Sequence, residues 1–381
     1  MEDIEYLQDQ KKKNYLDFIL ASGATIVCYG AGSFGKHMLE ILSRNGITID
    51  YYADTYKYSN EFNGRRVLSL EDLTALVKQQ SVIVLITSIV GGKEVFNMLT
   101  KAGISENALM LPLCLECFSN KQLPLLASFD IEQFEADAET IKDQMIDNTS
   151  HFVMDSLVSA RLKWMPEDYT NAYDASVGVS GTLEYLPCEL HEHLLGHPIS
   201  FIDCGAFTGD TIKILYEYGI TFAESWCFEP DAGNYVKLIK QIIDLNLYGT
   251  VHTENTGVYS KNGSICFIET NAEDARISES GVGDKIVVVS LDEYFAEKKV
   301  DYIKMDIEGA ELKALCGALE LIKRCRPILA ISVYHYCCDI TQIPMYLINN
   351  LNQYDFMLRH YSGAISGTVL FCIPKPLLSW K

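Results

Sequence analysis

The sequence predicts an α/β protein with two parallel-sheet units joined by a helical segment. Three observations predict it. Short apolar runs alternate with helical stretches from residue 25 to about 113, and again from 199 to the end, as parallel sheets require. Strand signals vanish between 114 and roughly 195. Each α/β run opens on a glycine-bearing turn, YGAGSFG at 29–35 and DCGAFTG at 203–209. At 381 residues the chain exceeds one ordinary core. We divide it into an N-terminal unit (1–113), a helical connector (114–195) and a C-terminal unit (196–381).

Residues 1–20 read as a helix. TIVCYG (25–30) is a strand, SFGKHMLEILSRNG a helix ended by Gly46, and ITIDYYAD (47–54) a second strand. SLEDLTALVKQQ is a helix, VIVLITS (82–88) a buried strand, GKEVFNMLTKAG a helix, and ALMLP closes the unit. The connector carries apolar residues at helical spacing and then a tyrosine-rich loop (Tyr169, Tyr173, Tyr185), placed to cover the second unit's pocket. From 199, ISFIDCG leads into helix 208–218, SWCFEP (225–230) into helix 232–245, and VHTENTGVYS (251–260) is a third strand. SICFIET and KIVVVSL bracket a polar loop, 271–284. DYIKMDIEG (301–309) precedes helix 310–323, and PILAISVYH (327–335) precedes helix 339–351. YDFMLRHYS and GTVLFCIPK form a closing hairpin. Five βα units ending in an antiparallel hairpin are the plan of class I S-adenosylmethionine-dependent methyltransferases.

Composition narrows the function. Thirty-one basic against 51 acidic residues give a net charge of −20, which argues against a nucleic-acid or anionic-membrane partner. No run approaches the roughly eighteen apolar residues of a membrane span, and the N-terminus lacks a signal-peptide apolar core. The cytoplasm is the expected compartment. Twelve scattered cysteines, with Cys114-x-x-Cys117 the only Cys-x-x-Cys, read as reduced structural thiols.

The C-terminal turn, Asp203-x-Gly205-x-x-x-Gly209, lets the backbone bend sharply and a ligand approach it. Glu229 ends the next strand 24 residues after Gly205, where an acid accepts the ribose hydroxyls of a nucleoside. No Gly-Lys-Ser/Thr follows, so this is no phosphate-binding P-loop. Asp203 and Asp210 would repel a diphosphate and attract a methionine ammonium group, favouring S-adenosylmethionine over NAD. A tight turn without a ligand is the competing account.

FIDCGAFTGDT, FEPD, SLDEYF, DYIKMDIEGAELKALCGA and the later ISVYH, LRHYS and TVLF resemble the signature segments of FkbM-type methyltransferases, in order and approximate spacing. The resemblance implies S-adenosylmethionine as cofactor, S-adenosylhomocysteine as product, and O-methylation of hydroxyls on sugars, glycolipids or polyketide-derived products. It implies that Asp203, Cys204, Gly205, Ala206, Gly209, Asp210, Thr211, Glu229 and Pro230 line the cofactor, while Asp306 and Glu308 face the reaction centre. Phe207 is a departure, since relatives often have asparagine there.

Methyl transfer from a sulfonium needs alignment more than covalent help, but a neutral hydroxyl is a poor nucleophile and gains from a base or a metal. Asp306 and His335 end neighbouring strands with Glu308 between them, forming either a general-base site, with Asp306 as base, or a loose Mg²⁺ site. The alternative is that Asp306 caps the following helix and Glu308 pairs with Lys304. Tyr185, Arg359 and His360 are candidate acceptor contacts for a small-molecule or glycan hydroxyl. HEHLLGH (His191, His193, His197) lacks zincin spacing and reads as a polar helix end.

In the N-terminal unit Gly30, Gly32 and Gly35 match Gly-x-Gly-x-x-Gly, and Asp54 ends the second strand. The segment also resembles, more loosely, the small Rossmann-like domain preceding some bacterial sugar-modifying enzymes. That implies a nucleotide-sugar or assembly role, a homodimer being one form of the latter. Two other function classes compete: an NAD-linked sugar-nucleotide oxidoreductase, and a non-catalytic nucleotide-binding protein.

Overall fold

The computed structural model describes residues 19–376, except 20, 33–34, 37–38, 40–41, 44–45, 56–59, 88–91, 106–108, 111–130, 164–166, 269–275, 279–283, 337 and 364. The expected helix at 1–20 and Cys114-x-x-Cys117 therefore fall almost wholly or wholly outside the described residues.

The N-terminal sheet is built from β1 (Thr25–Tyr29), β2 (Tyr51–Ala53), β3 (Glu61–Phe62), β4 (Arg65–Leu68), β5 (Val82–Ile86) and β6 (Leu109–Met110), in the order β3-β4-β2-β1-β5-β6. All neighbours run parallel except β3 and β4, a short hairpin that the sequence reading did not anticipate. Helix α1 (Leu70–Gln79) starts where Ser69 accepts the Asp72 amide at 3.0 Å, with acids in its first turn and Lys78 in its last. Helix α2 (Gly92–Lys101) follows β5.

The connector is helical, as its periodicity predicts: α3 (Ile131–Lys142), α4 (Asn148–Lys163), α5 (Glu167–Ser180) and α6 (Cys188–Leu194). Tyr169 and Tyr173, expected in a loop, lie on α5, with Tyr169 buried in the core; of the three tyrosines Tyr185 alone is in a loop. None of the described helices is long and apolar enough to cross a membrane.

The C-terminal unit opens with β7 (Ile199–Cys204), α7 (Asp210–Glu217), β8 (Phe222–Phe228), α8 (Ala232–Asp244) and β9 (Val251–Glu254). Four strands leave the main layer: β10 (Gly257–Val258), β11 (Gly263–Ile268), β12 (Arg276–Ser278) and β13 (Asp284–Val289) form a side sheet ordered β10-β13-β11-β12. The expected single strand at 251–260 is thus two, since the chain turns at Asn255, whose amide donates to the Glu229 carbonyl at 2.9 Å. Helix α9 (Leu291–Tyr294), β14 (Tyr302–Met305), α10 (Glu311–Cys316), α11 (Leu319–Cys325), β15 (Ile328–Ser332), α12 (Asp339–Asn350), β16 (Tyr354–His360) and β17 (Thr368–Pro374) complete it. The expected helix 310–323 is broken at Gly317, whose carbonyl takes bonds from Asp292 N and Ser290 Oγ, both at 2.8 Å.

The main sheet runs β16-β17-β15-β14-β7-β8-β9, parallel except where β17 joins, so the last hairpin is antiparallel as expected. Strands β14 and β15 are buried at every position, which is why they read as unbroken apolar runs. The carboxyl ends of β7, β8, β14 and β15 share one edge, where ligands bind open α/β sheets.

Two expectations fail at the hairpin. Arg359 and His360 are not at an acceptor pocket: Arg359 is 1% exposed and His360 is fully buried. Arg359 forms ion pairs with Asp147 (3.0 Å) and Glu189 (2.9 Å) and donates to Ser180 Oγ (2.6 Å) and Ser150 Oγ (2.9 Å). The His360 amide donates to Ser176 Oγ, and its ring meets Thr368 Oγ1 at 2.8 Å. Both residues fasten connector helices to the edge strand, Arg359 through its guanidinium and His360 through its backbone amide. Removing one partner of such a buried pair costs about 3–5 kcal/mol. Arg359→Leu should therefore lose stability on that scale in urea unfolding, whereas Lys323→Ala, which breaks an exposed pair with Glu320, should stay within about 1 kcal/mol.

Candidate active site

The turn after β7 holds its shape through backbone contacts. Gly205 has φ +78°, and a β-carbon there would overlap the Asp306 carbonyl oxygen, so only glycine lets the turn lie against the end of β14. Gly209, at φ +84°, caps α7. Between them Phe207, at φ +47° and 42% exposed, adopts a conformation that asparagine tolerates better than phenylalanine. This gives the departure at 207 a physical side as well as a chemical one.

Glu229 reaches the turn from the tip of β8. Its two oxygens accept the Phe207 and Asp231 amides, each at 2.8 Å. Burial pushes its carboxyl up to about 7, against the pull of those two amides. Pro230 follows, and its carbonyl accepts from Asn255 at 3.2 Å. Asp210 is exposed at the start of α7, while Thr211 behind it is buried.

Asp203, expected against the cofactor, is sealed under the turn instead. It is fully buried and paired with Lys304 Nζ at 3.0 Å, and the same ammonium donates to the Gly205 carbonyl at 2.6 Å. Burial lifts Asp203 to about 6, and Lys304 opposes the lift. Cys204 and Ala206 are also fully buried, so their side chains offer nothing to a ligand.

The ends of β14 and β15 carry the chemistry. Asp306, with a quarter of its side chain exposed, accepts the Tyr185 hydroxyl at 2.9 Å and the Tyr334 hydroxyl at 3.1 Å. His335 sits among three carboxylates: its Nε2 is 3.3 Å from Asp306 and 3.6 Å from Glu308, and its Nδ1 is 3.1 Å from Glu311. Burial alone would lower its pKa, but Glu311, Asp306 and Glu308 raise it to about 10. The ring is therefore an imidazolium at neutral pH. Burial raises the Asp306 carboxyl, but His335, Lys304 and the two tyrosines outweigh it and hold Asp306 below its ordinary range. Glu308 stands at φ +55° beside Gly309 at +89°, and a β-carbon at 309 would strike the Tyr336 ring. At a non-glycine residue such as Glu308 that backbone costs about 1–3 kcal/mol, and it collects at functional sites.

The structure thus brings together Asp306, Glu308, His335 and Tyr185, four of the residues singled out from sequence. It adds Glu311 and Tyr334, which sequence reasoning passed over. Glu311 closes the Lys-x-Asp-x-Glu-Gly-x-Glu segment and was legible there; it also accepts the Ile307 amide at 2.7 Å.

The Mg²⁺ reading gains no support. Asp306, Glu311 and His335 each turn one possible ligand atom inward. However, Mg²⁺ asks for an octahedron of oxygens, and here a protonated ring already supplies the positive charge between the acids. Elsewhere, the histidines of HEHLLGH lie on and just after α6; His191 meets the Tyr218 carbonyl at 2.8 Å, and His193 and His197 face each other.

In the N-terminal sheet, the glycine pattern has an internal explanation at two of its three positions. A β-carbon at Gly30 would crowd Thr87, and one at Gly35 would overlap the Gly30 carbonyl, while Gly32 faces open space. Asp54 accepts the Ala31 amide at 2.8 Å, tying the end of β2 to the turn after β1.

The His335 site carries a pH signature. A group whose folded pKa is raised stabilises fully below its unfolded value and loses that contribution as pH rises through the folded one. The stability gap between wild type and His335→Gln, read from thermal unfolding, should be widest below about pH 6.5 and close as pH approaches 10. A gap independent of pH over that window would mean the ring is neutral.

Residues 203–359 match the family model of the methyltransferase FkbM domain. The whole chain is similar to the crystal structure of methyltransferase FkbM from Methylobacillus flagellatus KT, with 21% identity, TM-score 0.69, and 97% of this chain and 98% of that chain covered. A ribosomal RNA methylase from Streptococcus thermophilus (15% identity, 48% and 90% covered, TM-score 0.32) and a Streptococcus mutans protein in complex with SAH (16%, 48% and 94%, 0.30) are similar over a smaller part. No curated protein matches significantly. Only the first of these likenesses speaks to the fold of the whole chain. With the matched segment holding the β7 turn, the β8 acid and the β14–β15 strand ends, the chain carries an FkbM methyltransferase domain and is a methyltransferase.

Proposed function

We propose that the protein methylates a hydroxyl of a carbohydrate, nucleotide-sugar or glycoconjugate, using S-adenosylmethionine. One observation carries the reading: acids and hydroxyls, without a free cation among the described residues, surround the strand ends. Glu229 and Asp210 border the glycine turn, and the ammonium beside it, Lys304, is consumed by Asp203 and the Gly205 carbonyl. That donor set suits a cationic sulfonium bearing an ammonium group and repels a diphosphate. When bound, the cofactor supplies an electrophilic methyl group.

The chain's own residues do the rest. Glu229 offers carboxylate oxygens to ribose hydroxyls, and the Phe207 and Asp231 amides keep it aimed. Asp306, Tyr185 and Tyr334 form a hydrogen-bonding face at the neighbouring strand ends, suited to orienting a hydroxyl-rich acceptor. Alignment is what a displacement at a methyl carbon chiefly requires. The NAD-linked and non-catalytic readings are not favoured, since the family match lies on the C-terminal site. For the N-terminal sheet a nucleotide-sugar role rests on Gly32 alone, the one glycine of its turn with open space before it.

Glu229→Ala should weaken S-adenosylhomocysteine binding by about 1.5–3 kcal/mol in calorimetry, the usual worth of hydrogen bonds to a charged group. Unchanged affinity would remove Glu229 from the cofactor site. Incubation with S-adenosylmethionine and a panel of free and nucleotide-linked sugars should yield S-adenosylhomocysteine and a methyl ether. A product methylated on nitrogen or carbon would overturn the hydroxyl reading.

A Gly32→Val variant tests the N-terminal role separately. It should abolish any thermal stabilisation by nucleotide-sugars and leave S-adenosylhomocysteine affinity intact.

A further inference from the structure

Glu311, the first residue of α10, is fully buried, and a single oxygen of its carboxylate has two contacts. Oε1 accepts the Ile307 amide at 2.7 Å and lies 3.1 Å from His335 Nδ1. The first contact closes the turn that carries Asp306 and Glu308. The second reaches the turn after β15, which Asp339 closes in the same way by accepting the Tyr336 amide at 2.7 Å. The His335 ring thus bridges two acid-closed turns at neighbouring strand ends. Tyr334, whose hydroxyl meets Asp306, packs its own ring 4.2 Å from that of His335.

Ionised carboxylates accept hydrogen bonds and donate none. They face both ring nitrogens of His335: Glu311 at Nδ1, and at Nε2 Asp306 (3.3 Å) and Glu308 (3.6 Å). A neutral ring would turn a bare lone pair on one side or the other. With both nitrogens protonated, the ring meets Asp306 Oδ1 as a cation.

The acids around the ring differ in reach. Asp306 keeps 25% of its side chain exposed and Glu308 42%, so water screens their charge, whereas none of Glu311 is exposed. Asp339 faces the ring from α12, but burial and then Glu311 raise its carboxyl to about 8, which leaves it largely neutral at pH 7. Burial alone would lower the ring's pKa; Glu311 leads the groups that raise it to about 10, ahead of Asp306 and Glu308.

We infer that Glu311 is a positioning residue of the methyl transfer, acting through the His335 ring to hold the Asp306 carboxylate where it orients the acceptor hydroxyl. The inference rests on the orienting role given to Asp306 in the O-methylation reading above. Substituting glutamine removes the charge and keeps an oxygen for the Ile307 amide and the Nδ1 proton. The proton the ring then loses is the one on Nε2. A lone pair would face Asp306 and Glu308 and push their carboxylates away.

The test follows the His335 ring nitrogens by ¹⁵N NMR from pH 6 to 10. Wild type should keep both N–H groups at pH 8 and titrate near pH 10. In Glu311→Gln the midpoint should fall by about 1–3 units, the usual effect of one opposite charge at close range. Turnover with the most active member of the sugar panel above is the second readout. Relative to wild type, Glu311→Gln should lose rate progressively as pH rises, reaching a deficit of about 10-fold or more at pH 9. Its S-adenosylhomocysteine affinity in calorimetry should match wild type. Glu311→Asp, which keeps the charge, should retain the doubly protonated ring at pH 8 and most of the rate. In a His335→Gln background, Glu311→Gln should cost nothing further, because the two act as one unit. A wild-type ring with a single N–H at pH 8 would overturn the inference without any variant. So would a Glu311→Gln deficit that is the same at every pH, or one that persists in full on His335→Gln; either leaves the O-methylation reading standing. A wild type that binds cofactor yet methylates no sugar hydroxyl would bring down that reading and the positioning role with it.

Discussion

The buried pair of Lys304 and Asp203 holds the C-terminal site together. Strands β7 and β14 place the two residues directly opposite each other in register, and Lys304 spends a second donor on the Gly205 carbonyl. One ammonium thus joins the strand that starts the glycine turn to the strand that ends at Asp306. A turn and a carboxylate separated by about a hundred residues become one rigid edge. Breaking such a pair would leave an uncompensated charge in the sheet interior, a heavier penalty than most packing defects. The absence of a β-carbon at Gly205 is the steric half of the same junction.

Around that edge, charge is balanced locally rather than by solvent. His335 neutralises part of a three-acid cluster, and the two tyrosine hydroxyls absorb what remains on Asp306. The protonated ring is better understood as a built-in counter-ion than as an acid–base group. Asp339 extends the cluster at the start of α12, where burial and Glu311 raise its carboxyl to about 8. The sheet edge is preorganised because each of these groups is fixed by the next.

Much of this was legible in the sequence. Alternating apolar runs and a terminal hairpin announce a parallel sheet with an antiparallel end, and Gly205, Glu229, Asp306 and His335 stand out because each sits at or just beyond a strand tip. The same rule misplaces Arg359 and His360. A strand's end tells which edge of the sheet a residue approaches, but not which other segment packs on an edge strand, and here the connector does. Glu311 lay inside a recognised motif without a role, since only the folded turn after β14 shows it meeting His335. Tyr334 carried no pattern: its meeting with Asp306 depends on how the chain turns after β15.

The family match begins at residue 203, whereas Tyr185 comes from upstream of it. Arg359 grips both ends of the loop that carries Tyr185, through Ser180 before it and Glu189 after it. The connector's hold on Asp306 through the Tyr185 hydroxyl is therefore anchored from the far edge of the sheet, and slackness at β16 would be felt at the tip of β14.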